Sequence, residues 1–198
     1  MKKFYFILFL IFSINAFCQE AKAKKDFTFE PSFRFSVIYP IQLGPHSLAE
    51  SHRSNPGFEF SMSFFNFKNF RLAAGFDRVQ YKVTDHQLVG NFTNSNYTAI
   101  YGDISYQFIS AKKISVLGDV GAGYVGIQQA RGAQHFGNQE GKEFRAGIFG
   151  DYRVAKRFSL FVGVHYIFAK LKMETNAEYI DYYGKASQIQ FSLGFKLN

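Results

Sequence analysis

Ile189-Gln190-Phe191-Ser192-Leu193-Gly194-Phe195-Lys196-Leu197 alternates apolar and polar residues without a break. Successive side chains on a strand point to opposite faces, so this stretch has one greasy face and one wet face. Seven earlier segments, beginning at Phe27, repeat the pattern. Phe33, Phe35 and Val37 alternate with Arg34 and Ser36; Phe58, Phe60, Met62 and Phe64 with Glu59, Ser61 and Ser63. Ile100, Ile104, Tyr106 and Phe108 oppose Asp103, Ser105 and Gln107; Phe144, Ala146, Ile148 and Tyr152 oppose Arg145, Gly147, Asp151 and Arg153. Leu160, Val162, Val164, Tyr166 and Phe168 mark the segment before the last.

In the third segment the parity slips. Leu72, Ala74 and Phe76 form one apolar set, and Val79, Tyr81 and Val83 a second set out of phase with it. One extra residue near Asp77-Arg78 would restore the phase, so a β-bulge is expected there. The connections between segments alternate long and short. Polar stretches 40–56, 84–96, 128–143 and 174–185 are the long ones; 66–69, 110–113 and 155–157 are tight turns. Short turns on one side and long loops on the other are the pattern of a transmembrane barrel, with the short turns and both chain ends in the periplasm.

The start of the chain reads as a secretory leader. Lys2 and Lys3 precede the apolar run Phe4 to Phe12, and Ala16-Phe17-Cys18 offers small residues where a signal peptidase cuts. Cleavage is expected after Cys18, giving a signal peptide at 1–18, a short basic tail at 19–26 and a barrel at 27–198. The run is too short to span a hydrocarbon core, which takes roughly 20 apolar residues. Phe17 and Asn15 fit a lipoprotein signal poorly. The remaining 180 of 198 residues suit one domain and hold no cysteine, which excludes a disulfide or a thiolate metal site. Losing Lys2 and Lys3 lowers the formal charge from +8 to +6. The bases are scattered and do not interleave with aromatics on one face. They suit lipid head groups or lipopolysaccharide phosphate and speak against nucleic acid.

Volume decides which face is inside. An eight-stranded barrel has an interior just wide enough for side chains. Several Phe and Tyr per strand would not fit there; Ser, Gly, Ala, Asp and Gln would. The aromatic face therefore points to lipid, with aromatic girdles expected at the interfaces. The expected fold is an all-β, eight-stranded, antiparallel, up-and-down transmembrane β-barrel in the outer membrane.

The segments from Phe27 to Asn198 resemble the small eight-stranded outer-membrane β-barrel proteins of Gram-negative bacteria. The glycine-rich Gly118 to Tyr124 stretch and the terminal Gly194-Phe195-Lys196-Leu197 carry the resemblance, although the chain ends on Asn198 where the family pattern has an aromatic. The resemblance implies lipid and lipopolysaccharide as surroundings, barrel-assembly machinery during biogenesis, and other outer-membrane proteins as partners of a complex subunit. It implies a structural or interactive role: membrane integrity, adhesion or an accessory subunit.

Seven charged or titratable residues fall on the inward face: Arg34, Glu59, Asp77, Asp103, Asp119, Arg145 and His165. Buried charges are tolerable only when paired, so a packed network that closes the lumen is expected in preference to an ion path. Arg145 is expected to pair with Asp103 or Asp119. His165 has no second histidine at ligand spacing on its strand, and no metal or cofactor is expected.

One motif points to catalysis. His52-Arg53-Ser54-Asn55 is similar to the His-x-Ser-Asn element of the outer-membrane lipid A deacylases. Carried over, His52 would be the base, Ser54 the nucleophile and Glu50 or Glu59 the orienting carboxylate. The motif stands in the first long loop here and late in the chain there, so a solvated polar loop is the preferred reading. A lipid A palmitoyltransferase would need an apolar lumen. Zinc binding by His46 and His52 is a further alternative, as is a soluble secreted ligand-binding barrel with its apolar face inward.

Overall fold

A computed structural model describes residues 27–132, 134–173 and 176–198. The expected leader and basic tail lie outside these residues. The described residues form nine strands: β1 Phe27–Gln42, β2 His52–Ser54, β3 Gly57–Phe67, β4 Phe70–Val83, β5 Asn94–Ser110, β6 Ile114–Arg131, β7 Gln134–Ala155, β8 Phe158–Leu171 and β9 Lys185–Leu197. All pairings are antiparallel. The order β4-β3-β1-β9-β8-β7-β6-β5 closes through β4–β5, so eight strands make a ring. The remaining one, β2, pairs with the upper end of β4, Ser54 opposite Tyr81, just beyond the last β3 pair at Phe58 opposite Arg78. It continues the line of β3 across Asn55-Pro56, where the proline cannot donate to the ladder. The ring is sealed by β1 against β9, from Phe33 opposite Leu197 to Gln42 opposite Gln188.

The aromatic and aliphatic face is outside. Phe35, Val37, Phe60, Ile104, Val120, Ile148, Val162 and Leu193 are all exposed on the barrel wall. A soluble barrel would bury that face; an apolar belt around a closed hydrogen-bonded ladder belongs in lipid. Near the short turns the outward rings pack side by side. Phe70 and Tyr106 lie 4.9 Å apart by ring centroids, Tyr106 and Phe108 5.2 Å, and Phe29 and Phe65 5.7 Å. This matches the aromatic girdle expected at one interface, here on the short-turn side.

The bulge expected near Asp77 does not exist. β4 pairs with β5 in unbroken register from Phe70 to Lys82. Val79, Tyr81 and Val83 are buried in the barrel on the same face as Asp77. The apolar residues change sides because the upper interior is apolar, so hydrophobicity there no longer marks the lipid face. A real irregularity lies between Ser63 and Phe65 on β3, and it exposes Phe65 in place of the expected Phe64. Another lies at Phe29/Ser32 around Pro31.

The long connections are more ordered than expected. The 128–143 stretch is a hairpin, since β6 runs to Arg131 and β7 starts at Gln134, and Gln128 pairs with Asn138. The turn holds Gly132 at φ 60, a left-handed backbone suited to glycine. The other loops carry short helices, α1 Ser47–Ser51, α2 His86–Val89 and α3 Ile180–Gly184. Tyr182 donates to Glu50 at 2.9 Å and Tyr183 to the Leu88 carbonyl at 2.9 Å, tying the three helices into a cap at the long-loop end of the barrel.

Candidate functional site

The lumen is filled in three layers. The upper layer is apolar and aromatic: Ile38, Val79, Tyr81, Tyr97, Val125 and Ile127 pack beneath Leu48 of the cap. Tyr81 and Tyr97 meet edge to face at 6.3 Å. The Tyr81 hydroxyl is not left bare, which a buried donor would make costly. It donates to Gln188 at 2.7 Å and accepts from Gln42 at 3.0 Å.

The middle layer is centred on Arg145, which is 2 % exposed. Its Nη2 donates to Asp77 across the lumen at 3.0 Å, and it bonds Glu143 on its own strand. Its guanidinium carbon lies over the Tyr101 ring, 3.2 Å from the centroid. Such stacking on a desolvated face contributes roughly 2 kcal/mol or more. Tyr101 donates to Glu59 at 2.5 Å, Ser36 donates to the other Glu59 oxygen at 2.9 Å, and Tyr97 donates to Glu143. Gln190 donates to Asp77 at 3.1 Å. The charges are thus hydrogen-bonded from several strands, the condition under which buried ions persist. His165 Nε2 lies 2.9 Å from Asp119.

The lower layer surrounds Asp151. Lys196 Nζ, Arg34 Nη2 and Arg71 Nη1 approach the same Asp151 oxygen at 3.3, 3.6 and 3.9 Å. Arg34 also covers the Phe149 ring at 3.8 Å. Arg71 donates to Gln107 at 2.9 Å.

All seven residues read from the sequence as inward point into the barrel, but the pairing differs. Arg145 pairs with Asp77 and Glu143, and neither Asp103 nor Asp119 is its partner. Asp119 takes His165, Arg34 goes down to Asp151, and Asp103 faces a void of about 10 Å³ bounded by Glu59, Asp119 and Arg145. That is room for about one water. Glu143 escaped the sequence reading because 128–143 looked like a loop, although it stands two residues from Arg145 on the same face. Tyr97 and Tyr101 share the parity of Asp103 on β5, so alternation alone places them inside; they escaped it because charge, and not a tyrosine hydroxyl, marks a lumen network in sequence.

The His52 motif is assembled differently from the deacylase expectation. His52 Nδ1 lies 2.8 Å from Ser51 Oγ and Nε2 lies 2.8 Å from Ser95 Oγ, so both ring nitrogens are engaged away from Ser54. His46 caps α1 by accepting from the Ala49 amide at 3.3 Å, and its Nε2 faces the Ser187 backbone. Burial lowers the pKa of both histidines below the ordinary value. Among the described residues no group of three or more His, Cys, Asp or Glu side chains is arranged to hold a metal.

No protein-family model matches the chain, and no match was found among curated proteins. Solved structures are similar in fold. Neisserial surface protein A (NspA) superposes with a TM-score of 0.55 at 12% identity, covering 84% of this chain and 96% of that one. The outer membrane protein OprG from Pseudomonas aeruginosa gives 0.53 at 11% identity, covering 86% of this chain and 95% of that one. The closed ring of eight strands, the outward apolar belt and these two likenesses agree: the chain has the fold of the small eight-stranded outer-membrane β-barrels.

Proposed function

We propose that this protein is a non-conducting, non-enzymatic barrel of the outer membrane with a structural or interactive role, in contact with lipid and lipopolysaccharide. Membrane integrity, adhesion and an accessory place in a larger outer-membrane complex all fall within it. The observation that carries the reading is the middle layer. Arg145, Asp77, Glu143, Tyr101 and Glu59 meet across the barrel, where an eight-stranded interior leaves no aqueous channel. The interactive part is supported by the cap, which exposes Leu88, Tyr179 and Ile180 outside the strands.

Planar-bilayer recording tests the closed lumen. The folded protein is expected to give no unitary conductance, and Arg145→Ala is expected to admit small, noisy currents. Steady openings of the unaltered protein would overturn the reading. Lipid A from cells that produce the protein is expected to keep all its acyl chains; loss of one would revive the deacylase alternative.

A further inference from the structure

We infer that the periplasmic mouth is a dead-end receptor for a small multivalent oxyanion, such as a diphosphate or a dicarboxylate. The mouth opens into a cup of about 750 Å³. Seven Lys and Arg side chains line it against two acidic ones, Glu30 and Asp151. The floor is the most unbalanced part. Lys196 and Asp151 are each 7% exposed, yet Asp151 also serves Arg34 and Arg71. One carboxylate cannot neutralise three converging cations, and a partly desolvated excess of positive charge is costly until an anion joins it.

The rest of the cup suits the same ligand. Arg153, Lys113, Lys156 and Arg157 stand around the rim, and Ser32, Ser115 and Ser159 add hydroxyl donors between them. Guanidinium and ammonium groups with neighbouring hydroxyls bind phosphate and carboxylate oxygens by charge-assisted hydrogen bonds. Above the floor the excess of positive charge ends. Asp103, Asp119 and Glu59 line the next void up together with Arg34, Arg145 and His165, and Arg145 with its partners closes the lumen beyond. An anion drawn in from the periplasm meets no further excess of cations and no open path, and stops. This dead end rests on the closed lumen proposed above, while the cup itself does not; conductance and anion binding are separate measurements.

Such an anion has two sources, a periplasmic solute or the phosphoryl head group of a lipid in the adjoining leaflet. The full-length barrel in zwitterionic nanodiscs, titrated calorimetrically with inorganic pyrophosphate, tests the shared chemistry. Saturable one-to-one binding is expected. Arg71→Gln with Lys196→Gln should weaken it at least tenfold, while Lys82→Gln at the far end should leave it unchanged. Asp151→Asn should tighten it severalfold, because the competing carboxylate is gone. A variant that merely misfolds could not do that, and heat-shifted gel mobility verifies folding of each. Anionic phosphatidylglycerol in the disc separates the sources: competition with pyrophosphate assigns the cup to a head group, and unchanged affinity assigns it to a solute. Absence of saturable binding in zwitterionic discs would overturn the inference. So would equal losses from Lys82→Gln and the floor variant, or an Asp151→Asn barrel that binds no tighter.

Discussion

Arg145 of β7 reaches Asp77 of β4 at 3.0 Å, joining two strands that are three ladders apart around the ring. Removing the guanidinium leaves Asp77 and Glu143 buried without their cation. Breaking one side of a buried pair costs about 3–5 kcal/mol. Arg145→Ala is expected near the lower end of that range, because Gln190 and Tyr97 still donate to the two carboxylates. Adding Asp77→Asn should recover part of the loss, since coupled residues are non-additive. The lipid-facing Ile104→Ala should cost far less. Urea unfolding in lipid vesicles measures all three, and a silent Arg145→Ala would refute the network.

The Tyr101 ring sits where Gly75 has no side chain; a Cβ there would overlap the ring itself. Gly75→Ala must therefore move Tyr101 and, with it, the hydroxyl that serves Glu59 and the face under Arg145. A loss of about 1–3 kcal/mol is expected, the cost of a buried acceptor left unmet together with local overpacking. Tyr101→Phe keeps the ring and drops only the hydroxyl, so it should be the milder change. Equal effects of the two would show that the ring position does not matter.

Acid should loosen the cap before the barrel. Burial holds the pKa of His46 and His52 below the ordinary 6.5, so the unfolded cap binds protons more readily than the folded one. Stability is then full above that ordinary value and is lost as pH falls through it toward the folded pKa. Proteolysis in the 43–56 and 176–185 stretches should speed up between pH 7.5 and 5 while the strands stay resistant. His46→Gln with His52→Gln should flatten the dependence; an unaltered profile in that variant would assign the effect elsewhere.

Epitope tags test the orientation. A tag at Gly132, the tip of the β6–β7 hairpin, should be reachable by antibody on intact cells. One at 111–113 should be reachable only after permeabilisation. Placing the tag inside 134–143 should instead reduce folded yield, because that stretch is paired strand.

The lipid-facing wall was legible because period-two alternation and aromatic content both mark it. Ile189 to Leu197 lies on its predicted faces throughout. The upper interior was not legible. Val79, Tyr81 and Val83 look like lipid-facing residues in sequence, and only their unbroken register with β5 shows them to be inside. The 128–143 stretch misled for the opposite reason. Its Gln, Asn and Gly residues lack apolar alternation because β6 and β7 project there past the lipid, where no greasy face is needed. Which carboxylate meets Arg145 depends on height along the barrel axis, a quantity set by the stagger of the strands and invisible in a linear reading.

The seal between β1 and β9 joins residues from opposite ends of the barrel sequence, such as Phe33 and Leu197. Every other ring pairing is a hairpin between neighbours and can form as soon as its two strands exist. This last one must wait for the whole chain. Until then the growing sheet carries two raw edges, each a template for adhesion to other chains. Closing a loop of that length is also the entropically slowest contact of the fold. The nascent barrel therefore stays sticky for as long as its C-terminal strand is missing, and truncations that remove Ile189 to Leu197 should aggregate rather than form a smaller barrel.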